Sequence, residues 1–278
     1  MPELPEVETV RRGLERSLVG RRFDEVAVGR DRVARRTSRQ ELRDGLTGAR
    51  VVEANRRGKY LLLELDTDAV VMVHLRMSGQ VIIDDGASEV PRHSHVTALL
   101  DDGSRFLFVD PRTFGEVVVA PRSRIDVLIP EIGRLGRDPL VDGVDMKAVT
   151  EMCRNRRRRV KSLLLDQSHI AGIGNIYADE ICHSAGIRPD RPAETLSSRS
   201  RRRLTDAIVD VIEQAVELGG STLADSQYVG VDGQPGTFQE RHRVYARTGQ
   251  RCISCGRGVI RRILIDQRGS HFCPVCQR

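Results

Sequence analysis

Hydrophobic positions at the start of the chain recur at helical spacing. In PEVETVRRGLERSLVG, Val7, Val10, Leu14 and Leu18 fall on one face, acids occupy the first turn, and Gly20 follows the last periodic residue. This pattern predicts an N-terminal helix packed on a partner surface. From there to about residue 120 the period shortens to that of strands, in KYLLLEL, AVVMVHL, HVTALL and RFLFV, with DTD and DDGS as turns between successive pairs. Short antiparallel strands at this spacing imply a sandwich or a barrel. Past IGRLGRDPL the helical period returns, and Leu204, Ile208, Val211, Ile212 and Ala215 line one face of a helix that stops at Gly219 and Gly220. The order is a β-rich domain, then a helical domain, then a short cysteine-containing module, in an α+β, multidomain chain.

Charge narrows the class of partner. The 278 residues carry a formal net charge of +6, with arginine runs at RNRRRR and RSRRR. Each Lys or Arg set against a phosphate releases condensed counterions, so a basic surplus suits a polyanion. With no Trp and 4% aromatic residues, a single-strand stacking platform is not expected. No run approaches the ~18 apolar residues of a membrane span, and the N-terminus has prolines and acids where a secretory signal has basic and then apolar residues. The expectation is a cytoplasmic protein with no membrane partner.

Four of the six cysteines fall in the last 27 residues. Cys252, Cys255, Cys273 and Cys276 form two C-x-x-C pairs separated by 17 residues, the spacing of a four-thiolate zinc site with room for one β-hairpin between the pairs. Four protein ligands leave no position for water, so one structural Zn2+ is expected rather than a catalytic one. Upstream, in KSLLLDQSHIAGIGNIYADEI, one apolar helix enters a glycine-containing turn and a second leaves it. Backbone N–H groups and the dipole of the second helix converge there on a spot suited to an anion.

Several of these motifs, taken in order, resemble one family. MPELPEVETV, RRGKYLLLEL, HLRMSG, DPRTFG, GIGNIYADEI, DGQPGTFQ, VYAR and CPVCQ are similar to the motifs of the formamidopyrimidine-DNA glycosylase and endonuclease VIII superfamily. Leu4 in PELPE resembles the formamidopyrimidine branch. The resemblance spans essentially the whole chain. It implies an N-terminal antiparallel β-sandwich with flanking helices (1–135), a helix–two-turn–helix domain with a lesion-capping loop (136–243) and a zinc-ribbon-like β-hairpin finger (244–278). The implied activity is base-excision repair of double-stranded damaged DNA by a monomer, cytoplasmic and nucleoid-associated.

The resemblance also assigns roles. With Met1 removed, as is expected before a small residue, Pro2 carries a free secondary amine, which titrates about two units below a lysine. That amine is the implied nucleophile, Glu3 the implied acid/base and Glu6 a supporting group. Lys59 is implied to grip the phosphate beside the lesion, with His74, His93, Arg112, Asn175, Tyr245 and Arg268 as further DNA contacts that position the duplex without reading sequence. Met77, Arg112 and Phe114 are implied to fill the void left by a flipped nucleotide; by composition alone, Met77 and Phe114 read as core.

Some features depart from the family pattern. The loop over 221–243 is longer than in many relatives, Thr237 stands where an aromatic is common, Arg188 replaces a His and Ala246 a Gly. Cys153 and Cys182 read as buried small hydrophobes. The implied substrates are oxidised purines, 8-oxoguanine opposite cytosine and formamidopyrimidines, released with β,δ-elimination of the strand. Oxidised pyrimidines by the same chemistry, and damage binding without catalysis, are the two alternatives.

Overall fold

The computed structural model describes residues 1–223 and 228–278. Part of the long loop, 224–227, lies outside the described residues. The chain separates into two compact units, Met1–Gly133 with Leu218–Gln239, and Arg134–Glu217 with Glu240–Arg278.

In the first unit, α1 (Leu4–Ser17) begins at the PELPE motif. Pro5 near the helix start loses no needed N–H there, and the Glu6 carboxylate accepts from the Glu3 N–H at 2.7 Å. The face read from the sequence is the buried one, with Val7, Val10, Leu14 and Leu18 all fully inaccessible. Each such side chain contributes about 1.5–3 kcal/mol of burial. A second helix, α2 (Arg39–Leu46), opens with a capping box in which Ser38 Oγ accepts from Glu41 N–H at 3.1 Å and Glu41 Oε2 accepts from Ser38 N–H at 2.7 Å.

Eight strands make the rest: β1 (Phe23–Val28), β2 (Val51–Arg57), β3 (Tyr60–Leu65), β4 (Ala69–His74), β5 (Gln80–Asp84), β6 (Ser94–Leu100), β7 (Arg105–Val109) and β8 (Glu116–Pro121). They form two antiparallel sheets, β1-β6-β7-β5 and β2-β3-β4-β8, so the alternatives of sandwich and barrel resolve to the sandwich. Leu61, Leu63, Val71 and Val73 from one sheet and Val96, Ala98, Phe106 and Phe108 from the other share a single core with α1. The Phe23 and Phe106 rings meet edge to face at 5.9 Å. Two short helices, α3 (Ile125–Leu128) and α4 (Pro130–Gly133), close the unit.

The second unit is helical: α5 (Met146–Cys153), α6 (Val160–Leu164), α7 (Asn175–Ser184) and α8 (Ser198–Glu217). Helix α8 buries Leu204, Ile208, Val211, Ile212 and Ala215, as its period requires. Gly219 and Gly220 beyond its end are left-handed, with φ of 71° and 79°. The unit ends in the hairpin β9 (Arg261–Ile265) and β10 (Arg268–Phe272). Its two turn residues, Asp266 and Gln267, both have positive φ, 48° and 63°, the backbone of a two-residue type I′ turn. Cys153 and Cys182 are fully buried.

Candidate nucleic-acid interface and catalytic residues

One end of the sandwich collects most of the residues singled out in the first unit. Across the second sheet, Arg57 pairs with Tyr60, Tyr60 with His74, and His74 with Glu116, which puts a single row of residues at the edge of the fold. Lys59 lies in the tight turn before Tyr60, which Gly58 makes possible with φ 57°; only 8% of it is exposed. His74 ends β4, stands edge to face with Tyr60 at 4.6 Å, and is itself buried. Burial, with the charges of Arg76 and Lys59 beside it, holds its imidazole well below the ordinary histidine range. The Arg76 N–H donates to Nδ1 at 3.0 Å. A neutral ring that accepts at Nδ1 carries its proton on Nε2, so His74 is a fixed hydrogen-bond donor.

Two links leave this end of the sandwich and cross from one sheet to the other. The first, from β4 to β5, carries Met77; the second, from β7 to β8, carries Arg112 and Phe114. Met77 is 40% exposed and Phe114 half-buried, so neither is a core side chain, contrary to what composition alone suggests. Phe114 has Arg112 over its ring at 5.1 Å and Arg32 at 5.6 Å. The first link is closed by Gly79 N–H donating to Leu75 O at 2.9 Å. A Cβ at Gly79 would lie 2.5 Å from that same oxygen, so only glycine fits.

Asp110, which the sequence did not single out, organises both links. It is fully buried; Ser78 Oγ donates to its Oδ1 at 2.5 Å and Gly115 N–H to its Oδ2 at 2.6 Å. Its backbone N–H donates to His93 O at 3.0 Å, so His93, half-buried and left-handed at φ 69°, belongs to the same cluster.

At the start of α1, Pro2 and Glu3 are buried. Glu6 is the hub beside them: one carboxylate oxygen accepts from Glu3 N–H and the other from Ser221 N–H, each at 2.7 Å. A Cβ at Gly220 would fall 2.6 Å from the Glu6 carboxylate, which explains a glycine there. Tyr228 OH donates to Glu6 O at 3.2 Å. Nothing local in the sequence signals the pairings with Ser221 and Tyr228, which stand 215 and 222 positions from Glu6.

In the second unit Asn175 is the first residue of α7, and its Oδ1 has no hydrogen-bond partner among the described residues. The turn before it is braced by Gln167, which accepts from Gly172 N–H at 2.8 Å and donates to Ile173 O at 2.9 Å. Two adjacent carboxylates on α7 then reach elsewhere. Glu180 accepts from the N–H groups of Arg243, Val244 and Tyr245 at 2.8–3.0 Å. Asp179 takes Lys161 Nζ at 2.6 Å and His271 Nδ1 at 2.9 Å, with both members of the Lys161–Asp179 pair wholly buried. Lys161 also donates to Gly269 O at 2.9 Å. Tyr245 and the hairpin that carries Arg268 are thus both fixed to α7, and the Tyr245 and His271 rings lie 5.1 Å apart.

The four cysteines of the C-terminal module converge, their sulfurs all within 4.8 Å of one another. Cys252 and Cys276 are 3.8 Å apart, as are Cys255 and Cys273. The edge of a tetrahedron with metal–sulfur bonds of ~2.3 Å is also about 3.8 Å, so the donor set fits a tetrahedral ion. Backbone N–H groups of Gly258 and Arg257 lower the Cys255 thiol to about 6, toward the thiolate a metal needs, while burial pushes the Cys273 and Cys276 thiols up in the absence of an ion's charge. His183 Nε2, unforeseen from sequence, lies 3.9 Å from Cys252 Sγ.

A sandwich unit with basic and hydrogen-bonding groups at one end, and a helix–two-turn–helix unit ending in a four-cysteine hairpin, define a nucleic-acid-binding class of protein. Known proteins give the family. The model of the formamidopyrimidine-DNA glycosylase N-terminal domain matches residues 1–117, and that of the formamidopyrimidine-DNA glycosylase H2TH domain matches residues 135–227. A formamidopyrimidine-DNA glycosylase of Nocardia farcinica is 41% identical over 290 residues, covering 100% of this chain and 98% of its own. One of Stutzerimonas stutzeri is 41% identical over 278 residues, covering 100% of both. Among solved structures, the MutM (Fpg) protein from Thermus thermophilus superposes with a TM-score of 0.88 at 40% identity, over 99% of this chain and 98% of its own. Lactococcus lactis Fpg in complex with abasic-site DNA gives 0.90 at 33% identity, over 99% of both chains. The chain belongs to the formamidopyrimidine-DNA glycosylase family.

Proposed function

We propose that this protein is a bifunctional DNA glycosylase/AP lyase of base-excision repair that removes oxidised purines from duplex DNA through an N-terminal proline Schiff base. The observation that carries the reading is the full-length similarity to formamidopyrimidine-DNA glycosylases on a chain whose second and third residues are Pro2 and Glu3, the latter held through its backbone by Glu6.

In this reading the Pro2 nitrogen, freed by loss of Met1, donates its lone pair to the sugar C1′ while the C1′–base bond breaks and the base leaves with that electron pair and a proton. Glu3 gives a proton to the ring oxygen as the sugar opens, leaving a cationic iminium between Pro2 and C1′. The iminium acidifies C2′–H. Loss of that proton expels the 3′ phosphate with the C3′–O electrons, and a second proton loss expels the 5′ phosphate. The chemical work belongs to residues 1–135, with duplex binding shared by 136–243 and the finger 244–278.

The remaining residues divide between gripping and filling. Lys59 and the Nε2–H of His74 bind phosphates at one end of the sandwich, with His93 beside them. Asn175, Tyr245 and Arg268 bind the backbone from the second unit. Met77, Arg112 and Phe114 occupy the void of the extruded nucleotide, which offsets part of the few kcal/mol of unstacking. Cys252, Cys255, Cys273 and Cys276 hold one Zn2+, which supplies structure to the hairpin and takes no part in the reaction. The protein acts as a cytoplasmic, nucleoid-associated monomer.

Product analysis tests the reading. On a duplex with one 8-oxoguanine opposite cytosine, the expected product is a one-nucleotide gap with phosphate at both new ends. An intact strand with an abasic site would reduce the activity to a glycosylase alone. Release of dihydrothymine in preference to 8-oxoguanine would move the substrate to oxidised pyrimidines, and binding without release of any base would make this a damage-binding protein.

A further inference from the structure

The two arginine runs, RNRRRR at 154–159 and RSRRR at 199–203, have no part in the chemistry above. The fold brings them together. Ala193 N–H donates to Arg158 O at 2.9 Å and Glu194 N–H to Arg156 O at 3.1 Å, so the first run lies along the segment that leads into α8, where the second run begins. The thiol of Cys153 beneath them feels the charges of both Arg156 and Arg201. Toward the other side, Arg158 donates to Asp166 at 2.7 Å, and the ring of His169 feels Arg156 and Arg158. The result is one basic strip running from α8, over the 154–159 loop, to the turn between α6 and α7.

Its charge is poorly compensated within the protein. Arg158 and Arg159 have Asp166 and Asp266 for partners, but Arg157 is 93% exposed with Glu194 no nearer than 3.8 Å. Among the described residues, Arg154, Arg156, Arg199 and Arg202 have no carboxylate within 4.0 Å. Guanidinium groups crowded this way repel one another across a Debye length of ~8 Å at physiological salt, a cost that a polyanion along the strip would reverse. The strip reaches His169, at the start of the turn that leads to Asn175. A duplex backbone bound at that turn continues past it, and the strip continues the same charge beyond the turn. Charge complementarity and continuity together favour a nucleic-acid backbone over an acidic protein.

We propose that this strip binds duplex phosphates flanking the lesion-proximal contacts, lengthening the footprint and retaining the protein on undamaged DNA during search. The proposal rests on the DNA-repair reading above, and concerns residues that reading leaves unused.

The test compares salt dependence of binding to an undamaged duplex of about ten base pairs and one of about forty, one and four helical turns. The full-length protein is compared with Arg154→Gln/Arg157→Gln/Arg199→Gln/Arg202→Gln and with the same four positions changed to Lys. On the long duplex the Gln protein should lose about 2–4 from the slope of log affinity against log salt, at ~0.9 per phosphate contact, and the Lys protein should keep the native slope. On the short duplex all three should agree. In the native protein, phenylglyoxal modification of Arg157, mapped by mass spectrometry, should be blocked by the long duplex and not by the short one, a readout independent of how any variant folds. An unchanged slope with unprotected Arg157 would overturn the proposal and leave the strip to an acidic protein partner. A native protein that binds neither duplex would overturn the DNA-repair reading along with it.

Discussion

Ser78 and Asp110 lie 32 positions apart, yet the Ser78 hydroxyl donates to the Asp110 carboxylate at 2.5 Å, joining the two links that cross between the sheets. The partner oxygen of the same carboxylate holds the Gly115 N–H. Met77 adjoins one of these contacts, and Arg112 and Phe114 lie between Asp110 and the other, so one buried group sets the relative position of three proposed void-filling side chains.

Replacing Asp110 by Ala should therefore strand the buried Gly115 N–H and the half-buried Ser78 hydroxyl. The cost of such orphaned groups is about 1–3 kcal/mol each, and Asp110→Ala is expected to lower unfolding free energy by about 2–4 kcal/mol. Ser78→Ala, which removes one donor with its acceptor oxygen still served by the Arg112 N–H, should cost about 1 kcal/mol. Denaturant melts measure both, and single-turnover excision should slow more for Asp110→Ala than for Ser78→Ala. Equal stability of Asp110→Ala and the native protein would contradict this role.

The Lys161–Asp179 pair makes a second prediction. Both groups are wholly outside solvent, so Asp179→Ala leaves an uncompensated ammonium and should destabilise by about 3–5 kcal/mol. The double change Lys161→Met/Asp179→Leu removes both charges and should cost much less than the two single changes together. Because Asp179 also holds His271, the single variant should loosen the hairpin and weaken DNA binding through Arg268. A double-mutant cycle with additive costs would show that the pair is not coupled.

Metal removal should act locally. With four thiolates as the whole donor set, chelation is expected to unfold the segment 252–276 while the sandwich keeps its structure. Hydrogen exchange would locate the change, elemental analysis should give one zinc per chain, and duplex affinity should fall with the metal. A stripped protein that keeps its hairpin protection would contradict a structural ion.

Stability should also fall with acid. Burial lowers His242 to about 4, and His74 is held well below its ordinary range. An unfolded chain, whose histidines titrate near ~6.5, takes up protons first as pH drops. The contribution of the neutral His242 imidazole is therefore complete above ~6.5 and lost as pH falls through about 4, and that of His74 is lost in the same direction. Melts of the native protein and of His242→Gln across this window should show a shallower acid limb for the variant. An identical limb would remove His242 from the account.

How far the sequence anticipates these features depends on whether they are periodic. Helices α1 and α8 are legible because their apolar residues repeat at 3.6 and bury one face, and strands β3, β4, β6 and β7 because they are short apolar runs bounded by turn residues, β3, β4 and β7 being buried on both faces. The C-x-x-C pairs are legible because a tetrahedral ion dictates residue type and spacing together. Strands β1 and β2 are harder to see, since FDEVAV and VVEANRR mix charged and apolar residues, a pattern that suits partly exposed strands. The roles of Asp110, Asp179 and Glu180 leave no local trace. Each acts by accepting hydrogen bonds from residues made neighbours only by folding, and an acid beside an exposed turn looks the same as a buried organiser. Exposure of Met77 likewise depends on the tight turn closed at Gly79, which hydropathy does not encode.

Borohydride trapping tests whether the N-terminal amine of Pro2 is the nucleophile. The native protein, with loss of Met1 verified by mass spectrometry, is incubated with borohydride and a duplex carrying one 8-oxoguanine opposite cytosine, beside Pro2→Gly and a matched undamaged duplex. A covalent protein–DNA adduct that requires both the lesion and Pro2 is expected, with the cross-link mapped to the N-terminal peptide. An adduct that maps to a lysine, or that forms equally well in Pro2→Gly, would contradict it.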